Sequence, residues 1–320
     1  MNLSRGRLAP RCDTQYMDQW VTPDKETISN PKCWGRIGAR GDQTSLCDTH
    51  VQLFGPGDKY PGQSGEEFAV DGFGIEEYCG VAGQNNIRRS ILVQPDWYGN
   101  DHCCLVDSIS LLNDNDQFGC VTEAKGIGSI GVDIEDAQLE DLQKAGLVGT
   151  KFIMEPGKEA FNWDAADRLA WRIYDFGWDV QLQMDGSDLH EVEQRIGLWP
   201  GRVVFNHIGM FLRTKKTQQR GFASLTRLID RDKAWVKLSA PYLVSSCGAV
   251  DDPEVSEMGR ALIEWAPERM VWGSNWPHLE KLEAPPETES LLKVMREWIP
   301  EESRFNLIMW ENPAVLYGFT

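Results

Sequence analysis

Five histidines occur in the 320 residues, and three of them, His50, His207 and His278, fall where a short apolar run turns polar. An imidazole or an ammonium at such a place can donate to an oxygen that is gaining negative charge, commonly the largest single contribution to catalysis. His50, His207 and Lys151 form that donor set. The fourth position of interest is Asn275, in Met270-Val271-Trp272-Gly273-Ser274-Asn275-Trp276-Pro277-His278. Gly and Pro bracket its polar part, so the chain must turn there. A carboxylate at 275 could take a proton from water, whereas an amide near neutral pH only donates and accepts hydrogen bonds.

Other polar residues at the ends of the apolar runs are candidates for substrate contact. After the first run come Gln52 and, in the loop beyond, Tyr60. A period of two predicts that Asp48, His50 and Gln52 share one face. The second run gives Gln94 and then Asp96, Trp97 and Tyr98; the fourth gives Lys151, which could equally be a barrel-interior charge paired with Asp185; the fifth gives Gln183 and Asp185. The sixth gives Asn206-His207, the seventh Ser239 and Tyr242, and the eighth Trp276 and His278 beside Asn275. Plainer roles compete. Tyr98 and Trp276 suit packing at the mouth, and Gln94 and Gln183 can serve to satisfy buried backbone groups. His102 and His190 lie in helical sequence and receive no role.

The elements that must position these residues alternate. Strand-like runs at 46–54, 87–94, 149–154, 180–184, 202–207, 234–238 and 270–272 are separated by helical patterns at 72–83, 101–112, 136–145, 162–176, 189–196, 222–231 and 253–265. A third strand is expected within 118–132 as one irregular region, and helices at 288–298 and 302–309 close the chain. Eight strand-then-helix units imply a parallel sheet with right-handed crossovers, closed as a (β/α)8 barrel, the TIM-barrel α/β class. Such barrels keep their chemistry at the C-terminal ends of the strands. Residues 1–45 lack a period and read as an irregular N-terminal extension; 46–320 reads as the barrel. Gly126-Ile127-Gly128-Ser129-Ile130-Gly131 matches a dinucleotide fingerprint but leads into strand-like sequence, so it is read as chance.

A formal net charge of -17 argues against a nucleic-acid or anionic-membrane partner. Eight cysteines without a C-x-x-C spacing read as reduced thiols in a cytoplasmic protein. The N-terminus has no long apolar run. A small-molecule substrate is the expected partner, and homo-oligomerisation is left open.

Asp-Thr-His-Val-Gln-Leu-Phe-Gly-Pro from 48, Asn-His-Ile-Gly from 206, Val-Lys-Leu-Ser from 236, Gly-Ser-Asn-Trp-Pro-His from 273 and the tail Glu-Asn-Pro-Ala-Val-Leu-Tyr-Gly-Phe occur in that order. Together they resemble the amidohydrolase superfamily over residues 46–319, and within it the metal-free lactonase branch typified by 2-pyrone-4,6-dicarboxylate hydrolase, with related sugar-lactone and sulfomuconolactone enzymes. The resemblance implies that an acid on strand eight activates water while His and cationic groups polarise a lactone carbonyl. This chain departs from it. The strand-one His-x-His is His50-Val51-Gln52, the acids at the ends of strands six and eight are Asn206 and Asn275, Gln183 is the nearest match to a strand-five His, and no Arg follows Ser239.

Two good metal ligands and two amides make a poor zinc site, so no metal and no cofactor is expected. Hydrolysis of a lactone or related small, fairly apolar ring substrate is the first expectation, with His278, Asp96 or Asp185 as substitute bases. A lactone isomerisation or other ring rearrangement needing no activated water is the second. A binding protein without turnover, or an Asp-to-Asn trap at 275, is the third.

Overall fold

The strands are short and apolar because both their faces are covered: β2 (Ile87–Val93) and β7 (Ala234–Ser239) are buried along almost their whole length. In the computed structural model, residues 45–63, 72–114, 117–157, 161–281 and 283–320 are described. The sequence-based N-terminal extension lies outside them, apart from Ser45. Eight parallel strands follow one another in chain order: β1 (Leu46–Val51), β2, β3 (Glu123–Gly128), β4 (Leu147–Ile153), β5 (Asp179–Gln183), β6 (Val203–Phe205), β7 and β8 (Met270–Gly273). β8 returns to β1 at the mouth, where Asn275 N donates to His50 O at 2.9 Å and Gln52 N to Trp276 O at 2.9 Å. The result is the (β/α)8 barrel expected.

Helices α1 (Ile75–Gln84), α2 (Cys103–Asn113), α3 (Asp136–Lys144), α4 (Trp163–Tyr174), α5 (Leu189–Leu198) and α6 (Arg220–Asp230) follow β1 to β6. The short α7 (Pro241–Val244) and α8 (Pro253–Trp265) follow β7, and α9 (Thr288–Trp298), α10 (Glu302–Asn306) and α11 (Asn312–Tyr317) follow β8. α4 shows why they form where they do. Asn162 Oδ1 accepts from Ala165 N at 3.0 Å as its cap, and Ala165, Ala166, Leu169, Ala170 and Ile173 make one buried stripe at helical spacing.

One sequence expectation is met and one changes. β3 lies inside the expected region 118–132, at Glu123–Gly128, where the glycines let neighbouring side chains close in: a Cβ on Gly126 would lie 2.6 Å from Ile109 Cδ1. The cysteines are not all reduced: Cys79 of α1 is bridged to Cys120, while Cys47, Cys104 and Cys247 are free.

The floor of the barrel is a single apolar cluster. Cys47, Ile91, Val93, Ile127, Val204, Trp235 and Val271 point inward from six strands and meet Leu316, Tyr317 and Phe319 of the C-terminal tail. Fully burying a side chain of this size contributes roughly 1.5–3 kcal/mol. Above this plug the interior becomes polar.

Candidate active site

β1 sets the first residue of the site by a register shift. Asp48 pairs with Ser90 but Val51 pairs with Leu92, three residues against two. Ile91 and Val93 face the interior, so Ser90 and Leu92 face the helices, and so do Asp48 and Val51. The extra residue turns His50 inward. The period-two expectation that Asp48 and His50 share a face is therefore wrong, since one inserted residue reverses the alternation. Asp48 instead braces the seam between β1 and β8, accepting from Ser274 N at 2.8 Å and His50 N at 3.1 Å. Burial outweighs these bonds and pushes its carboxyl up to about 6.

His50 meets a residue that was not among the sequence candidates. Lys237, fully buried on β7, places Nζ 3.2 Å from His50 Nδ1 and 2.8 Å from Gln181 Oε1 on β5. Burial pulls the Lys237 ammonium down to about 7. The His50 ring lies 4.9 Å from that of His207, whose Nδ1 is 3.0 Å from Ser239 Oγ. Burial lowers both imidazoles, His207 to about 3 and His50 well below its usual value, the latter helped by Lys237, His207 and Lys151. Both rings are therefore neutral at physiological pH, with one N–H each.

Strands six to eight end in left-handed backbone: His207 (φ 50°), Ile208 (φ 57°), Ala240 (φ 45°) and Asn275 (φ 66°). Asn tolerates this region, but a β-branched Ile does so only under strain, of order 1–3 kcal/mol, of the kind that gathers at functional sites. Gly273 lets the seam close, since a Cβ there would lie 2.7 Å from His50 Cβ. Asn275 Nδ2 donates to Tyr242 OH at 2.9 Å and, at 3.4 Å, to Glu280 Oε2. A carboxylate only accepts, so this fixes which way the amide faces. Tyr242 OH then donates to His278 Nδ1 at 2.9 Å. Asn275 Oδ1 and Asn206 Oδ1 are buried acceptors with no protein partner among the described residues.

Lys151 is also brought in, but without the Asp185 pair. Its ammonium bonds Gln94 O at 2.6 Å and the Asp96 carboxylate. Burial lowers it, and Asp96 offsets part of that. Asp185 Oδ1 instead caps the turn after β5, accepting from Ser187 N at 2.9 Å. Gln183 Nε2 donates to Glu155 Oε1 at 2.5 Å. Gln52 is half-buried next to Trp276. Trp276 packs on Tyr78 and Phe73. Tyr60, Trp97 and Tyr98 have contacts of their own. Tyr60 OH donates to Asp107 Oδ2 of α2 at 2.6 Å, Trp97 lies against Gly62, and Tyr98 OH accepts from Gly55 N at 3.2 Å.

The donor set does not fit a catalytic zinc. Among the described residues no group of three or more His, Cys, Asp or Glu side chains is placed to hold a metal ion, and the Lys237 ammonium sits on one of the two candidate imidazoles.

The sequence matches the amidohydrolase family model over residues 47–319. The chain belongs to the amidohydrolase family. Its relatives include a 4-sulfomuconolactone hydrolase of Hydrogenophaga intermedia, 26% identical over 275 residues, 85% of this chain and 88% of the relative. A D-galactarolactone isomerase of Agrobacterium fabrum is 30% identical over 277 residues, 84% and 90% of the two chains. A 2-pyrone-4,6-dicarboxylate hydrolase of Comamonas testosteroni is 25% identical over 313 residues, 94% and 95%. The lactonase resemblance read from the motifs is borne out.

Proposed function

We propose that this amidohydrolase-family chain acts on a cyclic ester, a lactone or related small ring, without a metal. The observation that carries the reading is the pair of neutral, buried imidazoles of His50 and His207, 4.9 Å apart, with the Lys151 ammonium within electrostatic reach of His50. With each Nδ1 engaged, Nε2 is the ring nitrogen left for the substrate; a ring protonated there donates to the carbonyl oxygen, and donors held in a dry site stabilise the oxyanion formed on attack. In the first reading water attacks the carbonyl carbon, the acyl C–O bond of the ring breaks, and the water's proton ends on the departing ring oxygen, as the relatives named as lactone hydrolases would do.

A specific observation favours a second reading. Asn275 cannot serve as base, and its Oδ1 is a buried acceptor without a partner among the described residues, suited to hold an O–H in place. If that O–H belongs to the substrate, its oxygen attacks the carbonyl and its proton passes to the departing ring oxygen, giving an isomer. One relative is named as a lactone isomerase. The substitute bases are poorly free for hydrolysis: Asp96 is tied to Lys151, Asp185 to its turn, and His278 to Tyr242. Held geometry can replace water activation.

Product masses on a lactone panel decide between the two. A gain of one water is hydrolysis, an unchanged mass with a new retention time is isomerisation, and saturable binding with no product would leave a binding protein. Asn275→Asp refines the answer. Both residues tolerate left-handed backbone, and a general base is worth about 10²–10⁴-fold. In an isomerase, Asn275→Asp raises lactone hydrolysis while the native reaction gains nothing. A hydrolytic gain in a chain with no other turnover would indicate a trapped lactonase. Small-molecule turnover, with no nucleic-acid or membrane partner, fits the charge of -17. No described helix is long and apolar enough to cross a membrane. Cytoplasmic residence is supported by the free thiols of Cys47, Cys104 and Cys247. The Cys79–Cys120 bridge counts against it, and thiol titration of protein taken from a reducing cytosol tests the point.

A further inference from the structure

We infer that Lys237 is a positioning residue that fixes His50 as its Nε2–H tautomer, so that the ring presents a donor to the mouth of the barrel. The catalytic meaning of this rests on the lactone reading; the geometry does not. Lys237 has no exposed surface, and its Nζ has two partners, Gln181 Oε1 at 2.8 Å and His50 Nδ1 at 3.2 Å. An ammonium has protons and no lone pair. Against a charged Lys237, His50 Nδ1 can only accept, and the single ring proton must sit on Nε2.

Gln181 completes the argument. Its Nε2 lies 3.2 Å from Tyr317 OH, which leaves Oε1 toward Lys237. A line of side chains thus runs from the C-terminal tail through Gln181 and Lys237 to His50. His207 differs. Its Nδ1 partner is the Ser239 hydroxyl, which can donate or accept and so leaves that tautomer undetermined. One imidazole is held as a donor while the other is able to exchange its proton.

A bland alternative is that Lys237 only ties β7 to β5. A buried ammonium is a costly tie, since an apolar residue of similar volume is often as stable or more so. The groups acting on Lys237 and His50 are Cys47 and Asp48 of β1, which favour the charged ammonium, and His207 and Lys151, which disfavour a charged His50. Asp48, the carboxylate that acts on Lys237, keeps one oxygen without a partner among the described residues.

The test is the tautomer itself. The full chain is labelled with ¹⁵N-histidine, and the ring nitrogens are read by two-bond ¹H–¹⁵N spectra at mildly acidic pH, where the ammonium is retained; His50→Gln assigns the signal among five histidines. The expected result is Nε2–H on His50 in the unaltered protein. In Lys237→Met, His50 shifts to Nδ1–H or a mixture while His207 is unchanged, and Lys237→Arg keeps the Nε2–H form. On any lactone that is turned over, Lys237→Met lowers kcat about 10²-fold, the size expected for losing one oxyanion donor, with KM within about 2-fold. A proton found on His50 Nδ1 in the unaltered protein overturns the inference, and that measurement needs no variant to fold. So does a His50 signal indifferent to Lys237→Met. If the tautomer responds but no lactone reacts, the positioning role stands and the lactone reading falls.

Discussion

The two ends of the barrel interior bury charge in opposite ways. At the floor, Arg202 grips Asp179 with two bonds of 2.9 Å and also donates to Leu316 O. Lys125 is held by the carbonyls of Tyr317 and Gly318. Trp178 Nε1 is the exception there. At the mouth, Gln94 Oε1, Asn206 Oδ1 and Asn275 Oδ1 lie buried and unpaired among the described residues, and so does Asp48 Oδ2 at the seam. Each unpaired group costs roughly 1–3 kcal/mol. The floor spends its polar groups on holding the barrel shut. The mouth leaves acceptors open, as a site that must exchange its protein bonds for substrate would do.

The sharpest way to break this contrast is to damage each end once. His207→Gln is expected to lower kcat/KM by about 10²–10³-fold, the loss typical of one oxyanion donor, with the melting temperature nearly unmoved. Arg202→Ala is expected to leave kcat/KM of the folded protein within about 2-fold while costing about 3 kcal/mol. That is the low end for breaking a buried pair, because Arg202 is itself partly exposed. Steady-state kinetics beside thermal melts would show it, and an Arg202→Ala protein that is stable but inactive would erase the distinction.

A smaller effect separates the two buried acids by pH. Burial pushes both Asp48 and Asp179 up from 3.8 to about 6. Between those values the folded chain binds more protons than the unfolded one, so stability falls as pH rises from about 4 through 6. Asp48→Asn keeps an acceptor for Ser274 N and removes the buried charge. It should stabilise the chain by about 1–3 kcal/mol at pH 8, with the gain gone below about pH 4. Urea titrations at the two pH values measure this. Destabilisation at pH 8 would mean that Asp48 is needed as the counter-charge of Lys237. The smallest expected effect is that of chelation: dialysis against a strong chelator should change turnover by less than about 2-fold. Loss of activity restored by zinc would overturn the metal-free reading.

The barrel was legible because each unit carries its own evidence. β8 announces itself as an apolar run broken by Gly273, and α4 by Asn162 before a helical stripe. Lys237 was harder to see. It lies inside the apolar run Ala-Trp-Val-Lys-Leu-Ser rather than at its polar end, and attention to strand ends passes over it, although a charge on the face shared by Trp235 and Ser239 was the available signal. The register shift of β1 left no mark, because an inserted residue that turns His50 inward looks like any other residue in Asp-Thr-His-Val-Gln. The Lys151 partner was missed because Asp96 and Asp185 both follow strand ends, and spacing along the chain does not choose between them. Tyr60 is an aromatic residue in the right loop whose hydroxyl bonds Asp107 of α2, a contact that sequence spacing does not announce.

The tail that plugs the floor also sets when the protein can be finished. Thr49 bonds to Trp272, Asp48 to Ser274 and Arg89 to Thr320, contacts spanning more than two hundred residues. The β1–β8 seam, the Gln181–Tyr317 link and the apolar floor all wait for segments made late in synthesis. A nascent chain still held on the ribosome can therefore stack its first helices on an open sheet but cannot bury His50 behind Gly273. During that interval the inner faces of β1 and β2, rich in apolar side chains, stand uncovered, and contacts this distant in sequence form slowly. A chain ending before Leu316 would lack the side chains that close the floor, which makes the last few residues a natural place to look when yield, rather than activity, is what fails.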